Sequence, residues 1–124
     1  MVLKAIPGEF SVCSLTGMEG VSLEDEFCFL SRTDEELSLV CRSEVVPAGA
    51  RKVESGWRMF RVEGIVGFSL TGILSRLSSA LAEARIGVFA VSTFNTDYIL
   101  VRTADFDRAR EALRRIGCEW RDEK

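Results

Sequence analysis

Histidine is absent from all 124 residues. The absence removes the commonest metal ligand and the commonest general base near neutral pH. Long apolar runs are also missing, so no segment reads as a span of a bilayer. The opening Met1-Val2-Leu3-Lys4-Ala5-Ile6-Pro7-Gly8 has no charged segment followed by a sustained hydrophobic one. It does not read as a secretory signal, and the expected location is the cytoplasm, with no membrane partner. No Cys-x-x-Cys occurs among Cys13, Cys28, Cys41 and Cys118. Their wide spacing does not suit a cysteine-only zinc site, and three of them sit in apolar, strand-like surroundings as small hydrophobes. There is no Walker loop, no paired Gly-x-Gly and no Ser or Cys nucleophile with a visible base. Glu35 and Glu36 are adjacent at a strand entry and so point to opposite faces, which does not make an acid/base pair. These absences argue against an enzyme, a metal or a cofactor.

A dense cationic surface is missing too. The net charge is −3 and the sequence pI about 5.1, whereas phosphate backbones demand clustered cations. The nearest thing to a basic cluster, Arg108, Arg110, Arg114 and Arg115, falls inside a helical pattern and reads as a solvated helix face. Nucleic acid is therefore not an expected partner.

What is present is a chain with 47% apolar and 28% charged residues, enough for a packed core under a charged surface. Phe60 to Phe68 is apolar and β-friendly, interrupted by Gly64 and Gly67. Ser69-Leu70-Thr71-Gly72 reads as a turn in which Ser69 or Thr71 caps the helix that follows. Ile73, Leu74, Leu77, Ala80, Leu81 and Ala84 recur at helical spacing, which predicts a helix from about Gly72 to Arg85. Ile86 to Ser92 predicts a central, buried strand. Thr93 to Asp97 is a turn, because Asn and Asp bond locally to the backbone, and Tyr98 to Arg102 is the returning strand. Asp105 reads as the N-cap of a second helix with Phe106, Ala109, Leu113 and Ile116 on one face, stopped by Gly117. Cys118 to Trp120 predicts a last short strand. The order is βαββαβ, an α+β ferredoxin-like pattern.

The first half reads as a weaker copy. Glu9 to Leu15 predicts a strand ending in Ser14-Leu15-Thr16-Gly17-Met18, an echo of Ser69 to Ile73. Glu36 to Arg42 echoes Asp97 to Arg102, with Glu36 as the counterpart of Asp97. Met18 to Glu26 is too short and acidic for a full amphipathic helix, and the stretch from Val46-Pro47 to Gly56 reads as irregular. Trp57 to Val62 alternates as a half-buried strand does. The expected organisation is a tandem repeat: a truncated first unit over 1–62 and a complete one over 63–124.

Four phrases carry a family resemblance: Gly67-Phe68-Ser69-Leu70-Thr71-Gly72-Ile73-Leu74, Val91 to Val101, Thr33 to Val40 and Gly56-Trp57-Arg58. They resemble the small tandem ACT-domain proteins related to the CASTOR-type arginine sensors and, more distantly, the regulatory domains of aspartate kinases. The resemblance covers nearly the whole chain. It implies ACT folds, frequent dimers and a free amino acid as ligand, bound where the loop after a first strand meets a neighbouring unit. A regulated protein partner is the alternative to ligand sensing.

An amino acid needs donors for its carboxylate and acceptors for its ammonium. Ser69, Leu70, Thr71, Gly72 and Ile73 lead into a helix N-terminus, where unpaired amides and the dipole suit an anion. Gly72 permits close approach. Asp97 and the carbonyls of Ser92, Thr93 and Asn95, with Thr96 beside them, are the candidates for the ammonium. Glu36 is a candidate for a second site or for closing the first.

Overall fold

A computed structural model describes residues 1–63 and 72–122. The strands are β1 (Val2–Leu15), β2 (Phe29–Arg32), β3 (Leu37–Arg42), β4 (Lys52–Glu63), β5 (Phe89–Ser92), β6 (Asp97–Arg102) and β7 (Glu119–Asp122). The helices are α1 (Ile73–Glu83) and α2 (Phe106–Arg115), and single 3-10 turns occupy Ser43–Val45 and Thr103–Asp105. The chain divides into two compact units. One is Met1–Pro7 with Arg58–Lys124; the other is Gly8–Trp57. The boundary is therefore not a cut at Val62: β1 and β4 each contribute residues to both units, and the larger unit takes its residues from both ends of the sequence.

In the larger unit the strand order is β7-β1-β4-β6-β5. β5 and β6 form an antiparallel hairpin, with Phe89 opposite Leu100 and Ser92 opposite Asp97. β7 runs parallel to β1, with Val2 opposite Glu119 and Ala5 opposite Asp122. The expected βαββαβ succession is present from β4 to β7, with α1 and α2 both helical as the periodicity required. The addition is β1, which stands between β7 and β4.

Period-two alternation puts Leu3 and Ala5 of β1, Phe60 and Val62 of β4, and Ile99 and Val101 of β6 on the helix side of this sheet. They pack with Leu77 and Leu81 of α1 and with Phe106, Ala109 and Leu113 of α2 in one core. Both helices end in the same way. Arg85 N–H bonds Ala82 O and Ile86 N–H bonds Leu81 O; Gly117 N–H bonds Arg114 O and Cys118 N–H bonds Leu113 O. These are Schellman stops, which need a left-handed residue. Gly117 supplies it at φ +100°, whereas Arg85 adopts φ 62° at a cost of about 1–2 kcal/mol.

Three expectations are corrected here. Ile86 to Ser92 is not a central strand. Ile86 is consumed by the helix stop and buried in the core, Val88 is 40% exposed, and only Phe89–Ser92 is strand, at the edge of the sheet. Ile116 is 37% exposed and so does not share the buried face of α2. Asp105 stands at the N-cap, but its carboxylate accepts from Arg108 (3.0 Å) instead of capping amides.

In the smaller unit β3 pairs antiparallel with β1, from Phe10 opposite Arg42 to Leu15 opposite Leu37, and with β2, from Phe29 opposite Val40 to Arg32 opposite Leu37. Cys13, Leu15, Leu37, Leu39 and Cys41 form its core, with Cys28, Leu30, Val45 and Val46 packed around them. Among the described residues it has no α-helix. Lys52 to Gly56, read as irregular, belongs to β4: Arg51 N–H bonds Ser14 O at 2.8 Å, and Ser55 and Ser43 share the buried hydroxyl of Ser11 at 2.8 and 2.7 Å. The succession β2, turn, β3, 3-10 turn reappears as β5, turn, β6, 3-10 turn, at one constant offset in residue number.

Candidate functional site

The turn between β5 and β6 is closed by its own polar atoms. Thr93 N–H bonds Thr96 O at 2.8 Å, the Thr93 hydroxyl donates to the same oxygen at 3.0 Å, and Thr96 N–H reaches Thr93 Oγ1 at 3.4 Å. Asn95 is exposed at the tip, beside Phe94 whose side chain is wholly exposed. At the base of the turn Ser92 donates its hydroxyl hydrogen to Asp97 Oδ1 at 2.6 Å. Among the described residues Ser92 is the only hydrogen-bond partner of that carboxylate, which is thus oriented and still able to accept more.

The Thr96 hydroxyl donates to Val62 O at 2.7 Å. This bond seats the turn against the end of β4, one residue before the chain leaves the described segment. Ser69, Leu70 and Thr71 lie outside the described residues. Beyond them Gly72 stands at the N-cap of α1 with φ 91°, its carbonyl accepting from Arg76 N–H at 2.8 Å. A left-handed N-cap requires glycine for its backbone, because a Cβ built there meets nothing within 4 Å. The Ile73 side chain is part of the core, which leaves only its backbone to a ligand. Ser92, Thr93, Thr96 and Asp97 are therefore gathered at the β4 end.

Glu36 belongs to the other unit and is exposed at the β2–β3 turn. Its role as the counterpart of Asp97 is corrected by the register. Thr33 N–H bonds Glu36 O at 2.9 Å and Glu36 N–H bonds Thr33 Oγ1 at 3.1 Å, the pattern of Thr93 and Thr96. Glu36 thus matches Thr96 in position, and Leu37, opposite Arg32, matches Asp97, opposite Ser92.

Sequence reasoning missed a charged group on the helix-free side of β4. Glu63 accepts from Arg61 Nε at 2.6 Å and from Arg121 Nη1 at 3.0 Å, and Arg61 also reaches the Tyr98 hydroxyl at 3.3 Å. The alternation of Arg61 and Glu63 along one strand face was the available signal; Arg121 arrives only through β7. The Arg61 hydrogen bond holds the Glu63 carboxyl below its ordinary value against the opposing effect of burial, helped by the charges of Arg61, Lys4 and Arg121. Stability from this group is therefore present above the ordinary carboxylate range and lost as pH falls through the depressed value. Glu63→Gln is expected to cost about 1–2 kcal/mol at neutral pH, in line with charge-assisted bonds. Urea midpoints should differ at neutral pH and converge well below the carboxylate range; equal midpoints at neutral pH would contradict this account.

Among the described residues the turn offers oriented acceptors and hydroxyls. Burial pushes the Cys41 thiol up to about 12 and raises those of Cys13, Cys28 and Cys118, so all four stay protonated near neutrality. Among the described residues no three His, Cys, Asp or Glu side chains come together to hold a metal ion, and no helix is long and apolar enough to cross a membrane.

The family model described as an ACT domain matches residues 52–115, which runs from β4 through α2. The chain belongs to the ACT domain family. Over 60 residues it is 38% identical to the cytosolic arginine sensor for mTORC1 subunit 1 of Homo sapiens, and equally to those of Bos taurus and Pongo abelii. That match takes in 48% of this chain and 18% of the relative, so the chain spans a minor part of the curated proteins it matches. Among solved structures, protein Atu0741 of Agobacterium tumefaciens superposes with a TM-score of 0.87 at 33% identity, over 99% of this chain and 93% of that one. The aspartate kinase of Clostridium acetobutylicum, an allosteric enzyme, superposes with a TM-score of 0.63 at 16% identity, over 90% of this chain and 32% of the kinase. The second likeness concerns fold alone. The parallel β1/β7 pair lies outside the matched ACT segment.

Proposed function

We propose that this ACT protein is a non-catalytic, cytoplasmic sensor of a free amino acid. Ser69, Leu70, Thr71, Gly72 and Ile73 hold the α-carboxylate through backbone amides and hydroxyls. Asp97, with the carbonyls of Ser92, Thr93 and Asn95, holds the ammonium. The observation that carries the reading is the Thr96–Val62 hydrogen bond, which puts the acceptors beside the strand that leads into the loop. The arginine sensors that match the chain support an amino acid as the ligand class. The constant offset between the two hairpins supports a tandem origin, with Gly8–Trp57 as a truncated ACT-like unit and Glu36 at the equivalent turn of a second site.

A second reading is favoured by a different feature. Among the described residues β5 lies at an end of the strand order, and Phe94 in the turn that follows it is wholly exposed. Unpaired edges invite another strand. A homodimer, or a regulated partner docking without any ligand, would use this edge.

A thermal-shift screen against the twenty amino acids separates the two. A sensor gains RT ln(1 + [L]/Kd), about 2.7 kcal/mol at a hundredfold excess over Kd, so one chemical class should raise the melting temperature by several degrees. Asp97→Ala should remove that rise while leaving the ligand-free melting temperature close to the parent value. A flat response across the panel would sink the sensor reading and favour the adaptor.

A further inference from the structure

Three cysteines meet in the smaller unit. Cys13 and Cys41 are buried in its core, and Cys28 is half-buried against it. All three are thiols outside any disulfide, and the amino-acid reading makes no use of them.

The register of the β2–β3 ladder decides which two can join. Phe29 faces Val40 and Leu30 faces Leu39, so the next position outward sets Cys28 against Cys41. The contact beyond it agrees: the Arg42 guanidinium lies over the Phe27 ring, 5.4 Å from Cζ to centroid. Side-chain alternation gives the same answer. Cys28 and Leu30 pack on the core that holds Leu39 and Cys41, whereas Phe27 lies with Phe10, edge-on at 6.4 Å. Phe27 adopts φ 61°, a backbone uncommon for a bulky residue and kept only where the surroundings over-determine it. Phe10 and Arg42 supply those surroundings and so fix the residue just before Cys28.

The kind of pair also matters. At the turn of this hairpin Thr33 N–H bonds Glu36 O at 2.9 Å, which closes a pair of the hydrogen-bonded kind. Pairs alternate in kind along an antiparallel ladder, and the count outward puts Cys28 and Cys41 at a non-hydrogen-bonded pair. Opposite Cα atoms there lie about 4.5 Å apart, within the roughly 4.4–6.8 Å that a disulfide spans. Cys13 stands opposite Leu39 and so only diagonal to Cys41. Diagonal neighbours are about 7–8 Å apart, too far to bridge without backbone movement. The Cys13 thiol hydrogen-bonds that of Cys41 instead.

We propose that Cys28 is a site of thiol–disulfide modification, which takes up a low-molecular-mass disulfide and resolves it onto Cys41 as a reversible cross-strand bridge. The half-buried Cys28 reacts first. Its thiolate attacks one sulfur of the reagent, which forms a mixed disulfide and expels one thiolate. Cys41 then gives its proton to solvent and attacks the Cys28 sulfur, which expels the second. Two protein thiols lose two electrons and two protons, and one reagent disulfide becomes two thiols. Burial and the charge of Asp25 hold Cys28 protonated, so the first step is slow and the bridge records sustained oxidation. Once formed, it ties the two ends of the β2–β3 hairpin and narrows the unfolded ensemble. The site lies wholly within Gly8–Trp57, so it stands or falls independently of the amino-acid loop.

The test incubates the folded whole chain with glutathione disulfide and then blocks the remaining thiols. Trypsin and a glutamate-specific protease together leave Cys13, Cys28 and Cys41 on separate peptides. Mass spectrometry should find Cys28 joined to Cys41 and Cys13 blocked as a thiol. The bridged chain should melt several degrees above the reduced one, and dithiothreitol should restore the reduced value. Cys41→Ala should stop at glutathione on Cys28, Cys28→Ser should form no bridge, and Cys13→Ala should bridge as the parent does. Should the Cys41 variant fold poorly, the Cys28 variant, changed at a half-buried position, decides alone. No bridge in the folded chain, a bridge from Cys13 to Cys41, a bridge formed only in urea, or a melting temperature unmoved by the bridge would overturn the proposal.

Discussion

Phe60→Ala is expected to destabilise the larger unit by about 3–5 kcal/mol, the range for removing a large aromatic from a packed core. Phe60 is fully buried. Its ring meets Trp120 edge-on at 5.1 Å and 69°, a geometry worth roughly 0.5–1.5 kcal/mol beyond area alone. The cavity would open between β4, α2 and β7 and so loosen three elements at once. Against a total stability of roughly 5–15 kcal/mol for a domain, the loss is large enough to read as a shifted urea midpoint and a weakened near-ultraviolet signal from Trp120. Phe60→Leu retains most of the volume and should cost far less. Equal midpoints for the parent and the alanine variant would mean that this core does not hold the unit together.

The second large effect belongs to Gly72. Gly72→Val is expected to lower stability by about 1–2 kcal/mol or more, because a β-branched residue at φ 91° is strained by its own backbone. Crowding contributes nothing, since a Cβ there has open space. Gly72→Asn separates backbone from chemistry: asparagine tolerates the left-handed region, so it should retain most of the stability. If the loop before α1 holds the amino acid, valine should abolish the ligand-induced thermal shift and asparagine reduce it less. Should valine bind as the parent does, the loop is not the site, whatever happens to the fold.

The helices, β6 and the β5–β6 turn were legible because each rests on local signals: apolar spacing of three and four, a glycine stop, an Asn-Asp turn. The misreadings have a common origin in pairing that sequence does not display. The strand expected from Glu9 begins at Val2 instead, and Gly8 at φ +98° carries it past Pro7 with the Arg42 guanidinium so close that a Cβ would lie 2.7 Å from it. Lys52 to Ser55 carries no apolar pattern and becomes strand through its backbone partners. Ile86 to Ser92 carries a strong apolar pattern and still lies mostly outside the core, because a helix stop takes its first residue and its last four form the strand at the end of the sheet. At the candidate site the matching of acid to acid paired Glu36 with Asp97, whereas turn hydrogen bonding pairs Glu36 with Thr96. Ser92 and Asp97 were readable as turn chemistry. Arg61 and Glu63 shared one strand face and so left a signal, but Arg121 did not, since its meeting with Glu63 depends on β7 lying beside β1.

The parallel pairing of β1 with β7 sets an order on synthesis. The ribosome delivers Gly8–Trp57 as one uninterrupted stretch, and that unit has all its strands once Trp57 has emerged. The other unit has its first strand early and must wait for Glu119–Asp122 to supply the neighbour of Val2–Ala5. Until then that edge of β1 offers open backbone bonds to any passing strand, the hazard of late-closing sheets. Between the synthesis of Trp57 and that of Asp122 the nascent chain thus has one unit able to close and the other still open along β1.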